Sequence, residues 1–213
     1  MTSNDLLQGV TKGAQATFLI RNGKVIWIDP FQLAGADLPK ADVLFITHAH
    51  GDHLSGGDID KIMKPETIVV GPPDCLAQIT APDAQKIAMA PGDSRTVEGI
   101  GVEAVPAYNI DKPYHPRSNN WVGFILDLGG RRVYHAGDTD RIPEMKDIRA
   151  DVALLPVGGT YTMDAEEAAA AANEDIKPAL AVPIHYTVVG SEADAQRFAS
   201  LVTGASQVLP SAL

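Results

Sequence analysis

Directly after the apolar segment Val43-Leu44-Phe45-Ile46 the chain reads Thr47-His48-Ala49-His50-Gly51-Asp52-His53. A short apolar run bounded in this way reads as a buried strand over Val43–Thr47. Whatever fold forms must therefore deliver three imidazoles and a carboxylate to the end of that strand. Neutral imidazole and carboxylate suit zinc and related first-row metals. On an extended strand end, His48 and His50 share a side because side chains alternate with a period of two. Asp52 and His53 follow on a turn and reach a second position, so the run implies two metals side by side. Histidines are otherwise mostly surface or satisfied core residues, and His-rich tracts arise from expression tags. This run is internal and holds half of the chain's six histidines, which favours the metal.

Composition bounds the partners. A chain of 213 residues can bury a full core, and its interspersed charge belongs to a globular protein rather than a disordered one. The formal net charge of −10 argues against nucleic acid, because phosphate-backbone affinity needs clustered Lys and Arg. A small anion remains compatible, since two divalent metals create a local positive field. Cys75 is the single cysteine; it reads as a small, partly buried apolar residue rather than a nucleophile. No stretch resembles a signal peptide or approaches the roughly 18 apolar residues of a membrane span, so a cytoplasmic protein that meets no membrane is expected. Oligomeric state is not readable.

The first third reads as strands. Thr17–Ile20 and Val25–Ile28 flank the hairpin signal Asn22-Gly23. A short helix over Ile59–Met63, a strand at Ile68–Val70 and a helix over Pro73–Ile79 follow the histidine run. Short strands then come at Lys86–Met89, Arg95–Val97 and Val102–Val105, separated by turn chemistry at Pro91-Gly92-Asp93 and Glu98-Gly99. Residues Pro106–Asn120 carry no periodicity, and a structureless loop of that length points to function. Val122–Leu128 and Arg132–His135 pair around Gly129-Gly130. Val152–Pro156 is a buried strand. Asp164 with Glu167 forms a capping box for an alanine-rich helix that ends before Pro178. Leu180–Ile184 is a strand that presents His185, Ser191 caps a last helix through Val202, and Gln207–Leu209 is a closing strand. Two strand-rich halves with helices outside predict an α/β four-layer αββα sandwich. Without a repeat or linker, residues 1–213 read as one domain.

Two further segments end strands with ligand types. In Tyr134-His135-Ala136-Gly137-Asp138-Thr139 the glycine lets the backbone turn tightly before Asp138, and Pro183-Ile184-His185-Tyr186 ends on a histidine. With the run at 47–53, these motifs resemble the metallo-β-lactamase superfamily of metal-dependent hydrolases. Gly158-Gly159-Thr160-Tyr161-Thr162-Met163 is similar to the branch that contains ascorbate-phosphate lactonases. The resemblance implies that His48 and His50 hold a first metal and that Asp52, His53 and His185 hold a second. Asp138 would bridge them. The Gly-His-Thr-like turn that supplies a third histidine in much of the superfamily is missing. His115 falls in the matching interval and is the candidate ligand, with a gate at the mouth as its alternative; Asn109 marks the other place where the departure could matter. His135 reads as a supporting residue, as do Asp29 and Thr47. Tyr161 and Tyr186 are either oxyanion donors or core. Lys112 and Arg117 are loop charges placed where an anionic substrate would enter.

Two metals roughly 3.5–4 Å apart can share a water as hydroxide that attacks a carbonyl or phosphoryl centre. Asp52 then orients it and moves its proton, which makes Asp52 the catalytic residue. The expected enzyme is a dinuclear hydrolase of a small ester, lactone or phosphoester, with zinc as the metal and manganese or iron as alternatives. Three readings compete: an iron-dependent oxidoreductase on the same fold, a nuclease, and a metal-bound sensor or scaffold. Fold alone does not fix the substrate.

Overall fold

Alternation of apolar residues divides this chain into two sheets that share an interior. The computed structural model describes residues 2–35 and 37–213. The first sheet contains β1 (Val10–Lys12), β2 (Phe18–Arg21), β3 (Val25–Ile28), β4 (Val43–Phe45), β5 (Ile68–Gly71) and β6 (Lys86–Ala88) in sequential order. The β1–β2 and β2–β3 pairs are antiparallel, and the remaining three are parallel. The second sheet contains β7 (Ser94–Val97), β8 (Ile100–Pro106), β9 (Val122–Asp127), β10 (Arg132–His135), β11 (Val152–Pro156) and β12 (Leu180–Ile184), again in sequential order. It too begins antiparallel and finishes with the parallel pairs β10–β11 and β11–β12. Each half of the chain thus builds a sheet of the same plan.

The period of two decides which side chains meet. Phe18, Ile20, Ile26, Ile28 and Phe45 pack in one buried cluster with Val122, Phe124, Leu126, Leu154 and Val182 of the other sheet. The Phe45 and Phe124 rings lie 5.1 Å apart there. The alternate residues Leu19, Trp27, Leu44 and Val69 face outward and are covered by Ile59 and Ile62 of α2 (Gly56–Ile62) and by Cys75 and Leu76 of α3 (Pro73–Leu76). On the second sheet Tyr134, Ala153, Leu155 and Ala181 are covered by Ala165, Ala168 and Ala169 of α4 (Ala165–Ala170) and by Ala195 and Phe198 of α5 (Glu192–Leu201). The result is the expected αββα order of layers. Burial holds the Cys75 thiol protonated, well above its ordinary range, in keeping with a packing role.

Several local expectations need correction. The strand expected over Val43–Thr47 stops at Phe45, because Thr47 N–H is taken by the Asp29 side chain rather than by a neighbouring strand. The alanine-rich helix is capped by Asp164 and Glu167 as expected, but it widens into a π-helix over Ala171–Ile176 before Lys177 adopts a left-handed conformation ahead of Pro178. Ser191 stands at the start of α5 without capping it; its hydroxyl bonds the Asp194 carboxylate instead. No strand forms at Gln207–Leu209. A single bridge joins Ala181 to Ser206, Tyr186 draws away the Leu209 carbonyl, and Pro210 has no N–H to continue a ladder. Strand β1 and the one-turn helix α1 (Ser3–Leu6) are too short to show any period. No helix of the described residues is long and apolar enough to cross a membrane.

Phe124 is fully buried at the contact between the sheets. Phe124→Ala is expected to cost about 3–5 kcal/mol, as large-to-small core changes do, measured as a lower urea midpoint at unchanged slope. A loss below about 1 kcal/mol would mean the two sheets do not share this core.

Candidate metal centre

The parallel strands of both sheets end at one edge of the sandwich, and the loops there carry the ligand-type residues. After β4, Ile46 N–H still bonds the Val70 carbonyl, and the chain then leaves the sheet into a turn in which His53 and Leu54 N–H groups both donate to the His50 carbonyl. This turn, and not strand alternation, brings His48 and His50 together, with their rings 4.8 Å apart. Asp138 follows β10 through Gly137, whose φ is +63°. A Cβ at Gly137 would lie 3.1 Å from both the Thr47 Cβ and the Val122 carbonyl oxygen, so only glycine lets Asp138 enter here. His185 leaves β12 with φ of 59°, its N–H held by the Gln15 carbonyl at 3.0 Å. His115 comes from the loop between β8 and β9, where its N–H donates to Asn109 Oδ1 at 3.0 Å.

Three groups result. Ligand atoms of His48, His50 and His115 lie within 4.8 Å of one another, as do those of Asp52, His53 and His185, and those of His48, His53 and Asp138. Asp138 sits between: its Oδ2 is 3.3 Å from His115 Nε2, 3.1 Å from His185 Nε2 and 3.8 Å from His48 Nε2, and its Oδ1 is 3.2 Å from His53 Nε2. All seven residues expected from the sequence meet at this point.

The outer nitrogens explain why the inner ones face the cluster. Thr47 Oγ1 gives its single proton to Asp29 Oδ2 at 2.7 Å, so His48 Nδ1, 2.9 Å from Thr47 Oγ1, must be the donor of that pair. Asp29 Oδ2 likewise receives His53 Nδ1–H at 2.8 Å. The Asn109 amide is oriented by two acceptors, Asp140 Oδ1 and the Tyr161 carbonyl, which take its N–H groups. Its oxygen therefore accepts from His115 Nδ1 at 3.1 Å. In the neutral ring each Nε2 is then a lone pair, the form a metal requires, and His53 reaches that form only on giving up its second proton. His48, His53 and His115 Nε2 and Asp138 Oδ1 are buried with no hydrogen-bond partner. Buried polar atoms are rarely left unpaired, and four converging in one place fit a cation.

Charge in the cluster follows the same logic. Burial opposes ionisation of Asp138, but the charges of His185 and His53 outweigh it and hold the carboxyl well below its usual range. Burial also raises Asp52, yet the His185 hydrogen bond and the His53 charge bring it to about 2. Burial and the neighbouring imidazoles keep His48 and His50 neutral. His53 and His185 go the other way: burial lowers them, but Asp138 together with Asp29 or Asp52 raises His53 well above its ordinary value and His185 to about 9.

The remaining candidates separate cleanly. His135 is not a ligand: its Nε2 bonds the Ala16 carbonyl at 2.7 Å and its Nδ1 accepts Gly137 N–H. Tyr186 is packing; its hydroxyl donates to the Leu209 carbonyl and its ring lies under the buried Lys12 ammonium at 4.6 Å. Tyr161 lines the cavity over the cluster. Lys112 and Arg117 do not line it; Lys112 is paired with Asp140 and Arg117 with Glu144. Sequence reading passed over Gln15, Asp140 and Trp121. Gln15 is fully buried, and its Oε1 accepts from Thr187 and Val188 N–H. The Trp121 ring lies 4.9–5.7 Å from the rings of His48, His50 and His115. No local pattern marks a lone glutamine or tryptophan, because their partners are distant in the chain.

Comparison with known proteins agrees with this geometry. Residues 10–185 match the model of the Beta-lactamase superfamily domain. A metal-dependent hydrolase of Thermoplasma acidophilum is 36% identical over 199 residues, covering 87% of each chain. The crystal structure of a Parabacteroides distasonis protein assigned as a metal-dependent hydrolase superposes with a TM-score of 0.84 at 32% identity, covering 94% of this chain and 91% of that one. A metallo hydrolase from Ignicoccus hospitalis aligns with a TM-score of 0.76 at 26% identity, covering 96% and 95%.

Because His53 and His185 hold protons at neutral pH, a cation must displace them. Metal uptake is therefore expected to release protons, and apparent affinity to rise with pH through about 9, where His185 loses its proton unaided. Calorimetric titration in buffers of different ionisation enthalpy checks this; a heat independent of buffer would contradict it.

Proposed function

Because the chain belongs to the metallo-β-lactamase superfamily, we propose that it is a hydrolase that works with two divalent cations on a small ester, lactone or phosphoester. The observation that carries the reading is the pair of triads about one carboxylate: His48, His50 and His115 on one side of Asp138, and Asp52, His53 and His185 on the other. The names of the relatives, metal-dependent hydrolases, support the reaction class. The similarity of residues 158–163 to the lactonase branch supports a lactone among the substrates. Zinc is the cation that imidazole and carboxylate in these numbers suit best, with manganese or iron as alternatives.

When bound, such cations lower the pKa of a shared water and withdraw electrons from the scissile centre. The protein's own groups do the rest. Asp138 and Asp52 supply two negative charges that offset part of the cations' charge, while Asp29, Thr47 and Asn109 fix the ring orientations that aim Nε2 inward. Asp52 is the more open carboxylate, with 27% of its side chain exposed against 3% for Asp138. It lines the cavity and is ionised at neutral pH, so it can accept a hydrogen bond from the attacking water and aim that water at the substrate. Tyr161, also on the lining, can donate to an oxygen that gains charge.

Asp52→Ala is expected to lower ester hydrolysis about 10²-fold or more, the scale of a positioned acid–base group. His135→Ala should keep most of its metal. His115→Ala should fall from about two metals per chain to about one, as loss of one site of a two-metal centre requires. Elemental analysis and steady-state kinetics on the three variants check this. Equal metal loss in Asp52→Ala and His135→Ala, or two metals retained in His115→Ala, would contradict the assignments.

A further inference from the structure

The cavity over the cluster has a polar floor and an apolar wall. It encloses about 550 Å³, and its wall is formed by Tyr114, Tyr161, Val188 and Val189, which come from three different loops. The Tyr114 and Tyr161 rings meet edge to face with centroids 4.5 Å apart, a fixed aromatic corner. The valines belong to the loop after β12, and that loop is pinned from beneath by the buried Gln15 side chain, whose Oε1 accepts Val188 N–H at 2.8 Å. Both sides of the wall are thus held by contacts within the protein.

Two independent observations say what it is built for. Among the described residues the exposed large apolar side chains are Ile110, Tyr114 and Val188, at 54%, 42% and 53%. Two of them line this cavity, and Ile110 shares the loop of Tyr114. Exposed apolar surface gathered in one place marks a binding surface. The second observation is charge. No Lys or Arg lines the cavity among the described residues. Of the two cations on the nearby loop, Lys112 Nζ is held by Asp140 Oδ1 at 2.6 Å and the Thr162 carbonyl at 2.9 Å, and Arg117 points away to Glu144 at 2.8 Å and the Tyr108 ring at 4.8 Å. A phosphate or carboxylate away from the reacting centre would find no side-chain cation on the cavity lining.

We propose that Tyr114, Tyr161, Val188 and Val189 form a binding wall for an uncharged apolar ring or acyl chain. The substrate is then a neutral carboxylic ester or lactone carrying such a group, with no phosphate or carboxylate on the part that meets the wall. The inference rests on the hydrolase reading above and narrows it. Hydrolysis consumes one water: the carbonyl carbon gains the bond to the water oxygen, its bond to the alkoxy oxygen breaks, and the alcohol leaves with a proton. Each methylene the wall covers contributes about fourfold in affinity when fully buried, so chain length should register in KM.

The test uses metal-loaded protein with 4-nitrophenyl acetate, 4-nitrophenyl hexanoate and 4-nitrophenyl phosphate, together with calorimetric binding of 4-phenylbutan-2-one, which cannot be hydrolysed. In wild type, kcat/KM should rise about tenfold or more from acetate to hexanoate, mostly through KM, and the phosphate should be the poorest of the three. In Tyr114→Ala and in Val188→Asp that ratio should shrink several-fold and ketone binding should weaken at least about fivefold. A flat ester series, or a ratio and ketone affinity untouched in both variants, would overturn the wall. Preference for the phosphate would overturn the substrate class. Ketone binding that depends on Tyr114 and Val188, with no turnover of any ester, would support the wall while sinking the hydrolase reading beneath it.

Discussion

The Asp138 carboxylate is the constraint around which this molecule is arranged. It is ionised and almost wholly shut off from solvent, a condition that costs several kcal/mol unless opposite charge or hydrogen bonds meet it. Positive charge meets it from His53 in the turn after β4 and from His185 at the end of β12, and His115 of the loop between β8 and β9 also approaches it. Those stretches belong to both sheets. The inter-sheet core that holds Phe45 against Phe124 is thus also what keeps the centre assembled. Stability of the sandwich and geometry of the site are one problem.

Around the inner ring stands an outer ring of polar groups. Asp29 carries more of it than any other residue, since it takes Thr47 N–H, the Thr47 hydroxyl and His53 Nδ1 at once. It does so with a positive φ that an aspartate tolerates better than most residues. Asn109 does for His115 what Asp29 does for His53, and is itself held by Asp140, which Lys112 neutralises. Such partners orient ligands and set their basicity. Through Asp140 they also engage Lys112 of the loop beside the cavity, whose lining carries no Lys or Arg among the described residues.

Much of this was legible in the sequence, for reasons that differ residue by residue. Apolar alternation at Phe18–Ile20 and Val25–Ile28 and the run at Val43–Ile46 disclosed strands because their burial is set by a local period. The run His48–His53, the glycine before Asp138 and the strand end before His185 marked candidate ligands because ligand-type residues cluster at strand ends there, and the family resemblance supplied their roles. The part that was misread depended on contacts distant in the chain. Thr47 leaves the sheet because Asp29 captures it, and Gln207–Leu209 fails as a strand because Tyr186 and Pro210 intervene. Gln15, buried under the His185 loop, had no sequence signal at all.

We propose that two cations share Asp138, each with its own triad. Anomalous diffraction from crystals grown with zinc should then show two peaks roughly 3.5–4 Å apart: one within about 2.0–2.1 Å of nitrogens of His48, His50 and His115, the other coordinated by Asp52, His53 and His185, with Asp138 between. A single peak, or a second peak held by residues outside these triads, would contradict it.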